Sequence, residues 1–201
     1  MKKILLATSN IGKVREIREF LVGFEVVALS EVFEPFEIVE DGESFKENAL
    51  IKARAVFARL REIGRAGEFF VLSDDSGISV EALGGEPGIF SARYSGEGAT
   101  DASNRAKLIK RLASVGVSES RAFYTAAMAL VSEAGEWCVH GFMHGRTICE
   151  ERGENGFGYD FLFVPNGEKR TIGEMQKHEK EAISHRTKAL ELVKILLKTL
   201  R

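Results

Sequence analysis

Phe69-Phe70-Val71-Leu72, running into Ser73-Asp74-Asp75-Ser76-Gly77, is the stretch from which the rest of the chain is read. An unbroken apolar run bounded by polar residues reads as a short buried strand. Two carboxylates follow at once. Successive strand residues point to opposite faces, so while the chain stays extended only one of the pair can face a given cleft. Ser76 and Gly77 are turn formers and predict that the chain has begun to turn there. A carboxylate at the carboxyl end of a strand in an α/β sheet stands where such folds place metals and catalytic bases. A plain Asp-rich turn with solvated charges fits the same residues, so the remaining stretches must decide.

A length of 201 residues suits one domain or two closely joined lobes. Hydrophobic residues make up 44% and charged residues 29%, a soluble globular composition with material for a sizeable core. The formal net charge of -2 argues against polymeric nucleic acid as the main partner, since such binders are usually basic. A small anionic ligand needs only a local basic cluster. Cys138 and Cys149 are too few for a disulfide framework and form no CxxC pair, which fits a reducing cytoplasm. Met1-Lys2-Lys3-Ile4-Leu5-Leu6-Ala7 starts like a signal peptide, but its apolar part is too short and runs straight into Thr8-Ser9-Asn10. It is read as a first strand. No apolar run approaches membrane-spanning length.

After that strand, Thr8-Ser9-Asn10-Ile11-Gly12-Lys13 reads as a loop. Val14, Ile17 and Leu21 then fall at helical spacing, and Gly23 stops the helix. Strand, glycine-containing loop and helix together present backbone N–H groups to a phosphate, with Lys13 as a fixed charge. The match to a Walker P-loop fails: Ala7 stands where its first glycine belongs and Val14 where its Ser/Thr belongs. Residues 26–29 read as a second strand, and 34–41 as an acidic irregular stretch containing Glu37, Glu40 and Asp41. Ser44 and Glu47 match a capping box before a helix whose apolar face is Ala49, Leu50, Ala53, Val56, Phe57 and Leu60. Asn48 and Lys52 share another face, which reads as solvated helix surface.

Beyond the acidic pair, Ile78 and Val80 suggest a brief strand, and Gly84-Gly85-Glu86-Pro87-Gly88 a tight loop. Thr100 caps a helix to about residue 113. Residues 121–131 form a long strand that turns at 133–136 into a hairpin starting at Trp137. Gly156-Phe157-Gly158-Tyr159-Asp160 leads into a buried strand over 161–164. Glycines flanking a phenylalanine let backbone and ring approach a flat ligand. Ser184 starts a last helix with Ala189, Leu190, Val193, Leu196, Leu197 and Leu200 on its buried side. Lys180, His185 and Arg186 cluster at its start, a poor place for cations unless an acceptor meets them.

An amide-lined loop with Lys13, acids at Glu40, Asp74 and Asp75, an aromatic-glycine turn and a basic cluster together describe a nucleoside triphosphate with a hard divalent cation. The motifs resemble those of the inosine triphosphate pyrophosphatase family, the non-standard purine NTP pyrophosphatases or XTP/dITP diphosphatases. The resemblance runs essentially end to end, through 8–13, 45–49, 74–77, Pro87-Gly88-Ile89-Phe90-Ser91-Ala92-Arg93-Tyr94, 156–160 and Ser184-His185-Arg186. Departures are small: Ser9 stands where glycine is common, and Phe161 where proline is common.

The resemblance implies an α/β fold, elongated and two-lobed around a mixed β-sheet with a central substrate groove, and residues 1–201 as one catalytic domain. It implies a cytoplasmic homodimer that hydrolyses ITP, dITP and XTP to the monophosphate and pyrophosphate, cleansing the nucleotide pool. Mg²⁺ would be held by Glu40 and Asp75, with Asp74 assisting, and Asp75 would accept the proton of the attacking water. Thr8, Ser9, Asn10, Ile11, Gly12, Lys13 and Lys180 would face the phosphates, and Ser76 would contact substrate. Phe157, Gly158, Tyr159 and Asp160 would wall the base, with His185 and Arg186 donating to its 6-oxo group. Neither a polymeric nucleic acid nor a membrane is an expected partner. Two rivals stand beside this reading. One is a nucleotide-binding regulator without catalysis. The other is a pyrophosphatase for modified pyrimidine nucleotides, against which His185-Arg186 argues through the resemblance. Cys138, Cys149, His140 and His144 have no zinc-site spacing. Frequent Glu, Lys and Arg hint at heat tolerance.

Overall fold

The structure, a computed structural model, describes residues 2–34 and 36–200. Met1 at the head of the first expected strand, Pro35 in the irregular stretch and Arg201 lie outside them. The chain runs β1 (Lys3–Leu6), α1 (Ile11–Phe20), β2 (Val26–Ala28), α2 (Phe45–Glu62), β3 (Phe69–Val80) and α3 (Asp101–Ser114). It continues with β4 (Glu119–Ser132), β5 (Gly135–Ile148), β6 (Phe163–Pro165), α4 (Lys177–Ile183) and α5 (His185–Thr199). The strands form one sheet in the order β2-β1-β3-β4-β5-β6. It is mixed: β1 runs parallel to β2 and β3, with Leu5 opposite both Val27 and Val71, while β5 and β6 are antiparallel. The α/β class expected from the sequence is the class observed.

By proximity the chain divides into two compact units: Met1–Asp75, Ala126–Gly141 and Thr187–Arg201 in the first, Ser76–Thr125 and Phe142–Arg186 in the second. In the first, strand alternation sorts the core. Ile4, Leu6, Phe70 and Leu72 pack with Val14 and Ile17 of α1 and Ala189, Leu190, Val193 and Leu197 of α5. Leu5, Phe69 and Val71 point the other way and pack with Ala49, Leu50, Ala53, Val56, Phe57 and Leu60 of α2. Parallel strands covered by helices on both faces are apolar at every position, which is why these runs do not alternate. The second unit has its own core, in which Ile78 and Val80 meet Leu108 and Leu112 of α3 and Tyr124, Tyr159, Leu162 and Phe163.

Three local expectations differ from the structure. No turn occurs at Ser76-Gly77: β3 continues to Val80, and Gly77 is not among the positive-φ glycines. Ile78 is fully buried, and its N–H donates to Ser91 Oγ at 2.9 Å, so burial and hydrogen bonding carry the strand through the glycine. Helix α1 begins at Ile11 rather than after Lys13, because Asn10 caps it and accepts from Lys13 N–H. The strand expected over 161–164 is confined to Phe163–Pro165. Helix α4 has no buried residue and therefore no apolar period to read.

Candidate active site

The first unit gathers the acids and two lysines. Extended β3 sends Asp74 and Asp75 to opposite faces. Asp74 follows Phe70 and Leu72 onto the face covered by α1, where Lys13 Nζ donates to its Oδ1 at 2.9 Å. The Asp74 side chain is almost fully buried, so the ammonium is the charge that makes its burial tolerable. Around Lys13, the Asn10 cap holds the start of α1, and Asn10 N–H donates to Thr8 Oγ1 at 3.2 Å. Ser9, Asn10 and Ile11 face solvent. Gly12 lies close to this cap: a Cβ there would come within 3.2 Å of Asn10 Oδ1.

Asp75 follows Phe69 and Val71 onto the α2 face. Lys52 of α2 donates to Glu40 Oε2 at 2.6 Å and to Asp75 Oδ1 at 3.2 Å, so one ammonium joins two carboxylates. Asp75 Oδ2 is buried with no hydrogen-bond partner among the described residues. Burial, with Glu40 and Asp74 nearby, pushes the Asp75 carboxyl above its ordinary value against the pull of Lys52. The solvated surface expected at Asn48 and Lys52 is overturned. Asn48 is buried and accepts from Gly42 N–H at 2.9 Å, while Lys52 is largely covered. Higher on α2, the Arg59 guanidinium lies 5.0 Å from the Phe36 ring and 5.9 Å from Phe33. Positions 48, 52 and 59 share one helical stripe. That stripe therefore holds the irregular stretch that presents Glu40.

The second unit carries the aromatic turn and the basic cluster. Lys180 Nζ sits 2.5 Å from Asp160 Oδ2 and 4.3 Å from the Phe157 ring centroid. The same Asp160 oxygen accepts from Phe157 N–H at 2.9 Å. Gly156 is required here, because a Cβ would meet Asp160 Oδ2 at 2.3 Å. Phe157 is the exposed ring of the turn, at 58%. Tyr159, expected on the same wall, instead has its ring in the core, with its hydroxyl donating to Ser91 O at 2.8 Å. Gly158 supplies backbone only. Lys180, expected at the phosphates, is held at this turn. Arg186 Nη2 donates to Ser76 Oγ at 3.3 Å, and the imidazole of His185 stacks on Tyr124 with centroids 4.8 Å apart. Both basic residues are buried, which suits donors aimed at a buried acceptor rather than at solvent.

The Ham1 family description matches residues 4–195. The chain belongs to the Ham1 family. A dITP/XTP pyrophosphatase of Campylobacter concisus is 58% identical over 99% of this chain and 98% of its own length. One from Sulfurimonas denitrificans is 52% identical over 98% of this chain and all of its own. The solved Ham1 protein of Staphylococcus aureus superposes with a TM-score of 0.88 at 33% identity, covering both chains fully. The nucleoside-triphosphatase / dITP/XTP pyrophosphatase of Mycobacterium abscessus gives 0.76 at 40% identity, over 95% of this chain and 98% of that one. The Ham1 fold thus accounts for the mixed sheet.

Lys52 and Asn48 are the residues of this Ham1 chain that sequence reasoning missed. A shared helix face is the signal for Lys52, and Asn48 also falls in the 45–49 motif, but neither signal gives a role because their partners stand elsewhere in the chain. Among the described residues no group of three or more His, Cys, Asp or Glu could hold a metal. Glu40 and Asp75 do converge on a single cation, the Lys52 ammonium. Two carboxylates completed by substrate phosphates and water is the donor set Mg²⁺ favours over an all-protein cage. The residues fit such an ion. No helix among the described residues is long and apolar enough to cross a membrane.

Proposed function

We propose that this chain hydrolyses non-canonical purine nucleoside triphosphates, dITP, XTP and ITP, to the monophosphate and pyrophosphate, removing deaminated purines from the nucleotide pool. The observation that carries the reading is Asp75: a half-buried carboxylate with a raised pKa and a buried, unpartnered Oδ2, tied through Lys52 to Glu40. A structural ion pair needs no such orphaned oxygen; a proton acceptor or metal ligand does.

Asp74, on the other face of β3, would assist by positioning Lys13, while Glu40 and Asp75 would hold Mg²⁺. When bound, it supplies charge neutralisation for the polyphosphate. Lys13 and the amides at the start of α1 face the phosphates, a helix N-terminus being suited to anions. Lys180, paired with Asp160 beside the Phe157 ring, would contact the substrate from the base side. Asp75 takes one proton from water, whose oxygen bonds to the α-phosphorus. The bond from that phosphorus to the bridging oxygen breaks, and pyrophosphate leaves with the electron pair. Lys52 keeps Asp75 oriented and its neighbourhood near neutral. In the second unit Phe157 takes the base, Ser76 contacts substrate, and His185 and Arg186 donate to the 6-oxo oxygen. Adenine has an amino donor there; donor facing donor leaves buried groups unpaired, which costs up to about 10⁴ to 10⁵ in kcat/KM.

We place the enzyme in the cytoplasm, with Cys138 and Cys149 as free thiols, and as a homodimer. The exposed rings of Phe123 and Phe142, in contact with each other and with His144, are an apolar surface that pairing would bury. A solution mass of one chain would overturn the dimer.

The deciding assay is pyrophosphate release from XTP, dITP, ITP, ATP and GTP with Mg²⁺, with Asp75→Asn alongside. Pyrophosphate from the first three, lost in the variant, is expected. Orthophosphate as product would move attack to the terminal phosphate. Tight XTP binding without turnover would make the chain a nucleotide-binding regulator.

A further inference from the structure

The turn that carries Phe157 has a second anchorage, on helix α3. Gly158 N–H donates to Asp101 Oδ2 at 2.7 Å, and Gly158 O accepts from Arg105 Nη1 at 3.0 Å. Both polar groups of one residue are thus tied to side chains four apart on one helix face. Asp101 lies in the first turn of α3, below the Thr100 cap. The Arg105 guanidinium also lies 4.5 Å from the Phe161 ring centroid and 3.0 Å from Glu151 Oε1, and its side chain is only 12% exposed. It therefore reaches the middle of the turn, its far end and the charged stretch leading into it.

Gly158 is the residue where such a clamp has most effect. Its φ of +58° is left-handed, which residues other than glycine rarely adopt. The flanking side chains leave on divergent errands: Tyr159 goes into the core, while Phe157 stays exposed. The Phe157 ring is more than half exposed and carries the Lys180 ammonium on its face, so its orientation depends on the backbone at 157 and 158. From the other side the turn is held through Asp160, which Lys180 and Phe157 N–H share, and through the buried Tyr159, whose hydroxyl donates to Ser91 O. Those anchors act on the neighbours of Gly158; its own N–H and C=O are held by the α3 side chains, so losing the clamp frees that peptide first.

We propose that Asp101 and Arg105 are positioning residues for base recognition, fixing Gly158 so that the Phe157 ring is pre-oriented for the purine. This rests on the reading of residues 157–160 as the base wall. Pre-orientation lowers the ordering cost of binding, so its loss appears in KM more than in kcat. Neither residue takes part in the chemistry at phosphorus.

The test uses the full-length chain with Asp101→Ala, Asp101→Asn and Arg105→Met. Two quantities are measured: exchange of the Gly158 amide hydrogen by NMR, and kcat and KM for XTP. For Asp101→Ala, amide exchange faster by roughly tenfold and KM raised by roughly tenfold are expected, with kcat within about twofold. Asp101→Asn keeps a side-chain carbonyl acceptor and is expected to restore most of both. Arg105→Met preserves the stem and is expected to shift KM in the same direction. Faster exchange with unchanged KM would overturn the positioning role. Unchanged exchange would overturn the clamp itself, and a fall in kcat at constant KM would place Asp101 in the chemistry instead. If the wild type releases no pyrophosphate, equilibrium XTP binding replaces KM. Weaker binding by Asp101→Ala then supports the clamp although the catalytic reading has failed; no XTP binding by the wild type overturns both.

Discussion

At Asp75 burial raises the carboxyl pKa, the Lys52 ammonium pulls it down, and Glu40 and Asp74 push it up again; the balance stays above the ordinary value. At Lys52 burial opposes the charge, but Asp75 and Glu40 outweigh it and the ammonium is held above its usual range. The sign for catalysis follows. A base works only when deprotonated, so activity rises as pH climbs through the Asp75 value, which lies above the usual carboxylate value of about 4 in the metal-free protein and which a bound cation would pull down. Folding has the opposite preference: the protonated form is favoured, and that contribution is present at acid pH and lost as pH rises through the raised value. Replacing Lys52 by Met removes the downward pull. The acid limb of kcat/KM for XTP is then expected to move up by roughly one pH unit or more. A limb left in place would separate Lys52 from Asp75. Much of this is legible: Lys13, Asp74 and Asp75 carry the motif resemblance, and the resemblance implies the role of Glu40 in the acidic stretch before α2. Lys52 is not, because helical spacing tells which face a side chain occupies but not what lies opposite. Its partners are 12 and 23 positions away.

Helix α2 shows the same limit at the scale of an element. Its apolar face, read from period alone, is buried as expected. Its capping box is half realised: Ser44 Oγ accepts from Glu47 N–H at 3.2 Å, whereas the Glu47 carboxylate reaches Glu43 N–H rather than that of Ser44. The stripe of Asn48, Lys52 and Arg59 mounts the stretch before the helix, and nothing in the helix sequence announces that cargo. The turn chemistry of Ser76-Gly77 predicts an end to β3 that the structure does not show, because tertiary burial of Ile78 and Val80 overrides it. The α2 arrangement sets an order of costs. Ser44→Ala loses an exposed cap, worth about 1 kcal/mol. Asn48→Ala leaves Gly42 N–H without its buried acceptor and opens a void, about 2 kcal/mol. Urea unfolding of the two variants checks the order. Asn48→Ala as the milder change would mean that Gly42 is not held through Asn48.

The whole chain passes between its two units four times, at 75/76, 125/126, 141/142 and 186/187. Each passage falls inside a continuous element, β3, β4, β5 or α5, rather than in a linker. No contiguous fragment contains all of either unit, and breaking a unit's fold breaks elements that the other also uses. Periodicity in the sequence showed these elements but not the division, since a boundary inside a strand leaves no change of composition. On this connectivity residues 1–201 are expected to unfold as one domain. The protein carries natural reporters that keep the units apart. Its single tryptophan, Trp137, lies in the first, and its three tyrosines, Tyr94, Tyr124 and Tyr159, all lie in the second. Urea unfolding followed by tryptophan emission and by tyrosine difference absorbance is expected to give superimposable curves with one midpoint. Separate midpoints would show that the shared strands do not couple the units, and would make each a folding domain of its own.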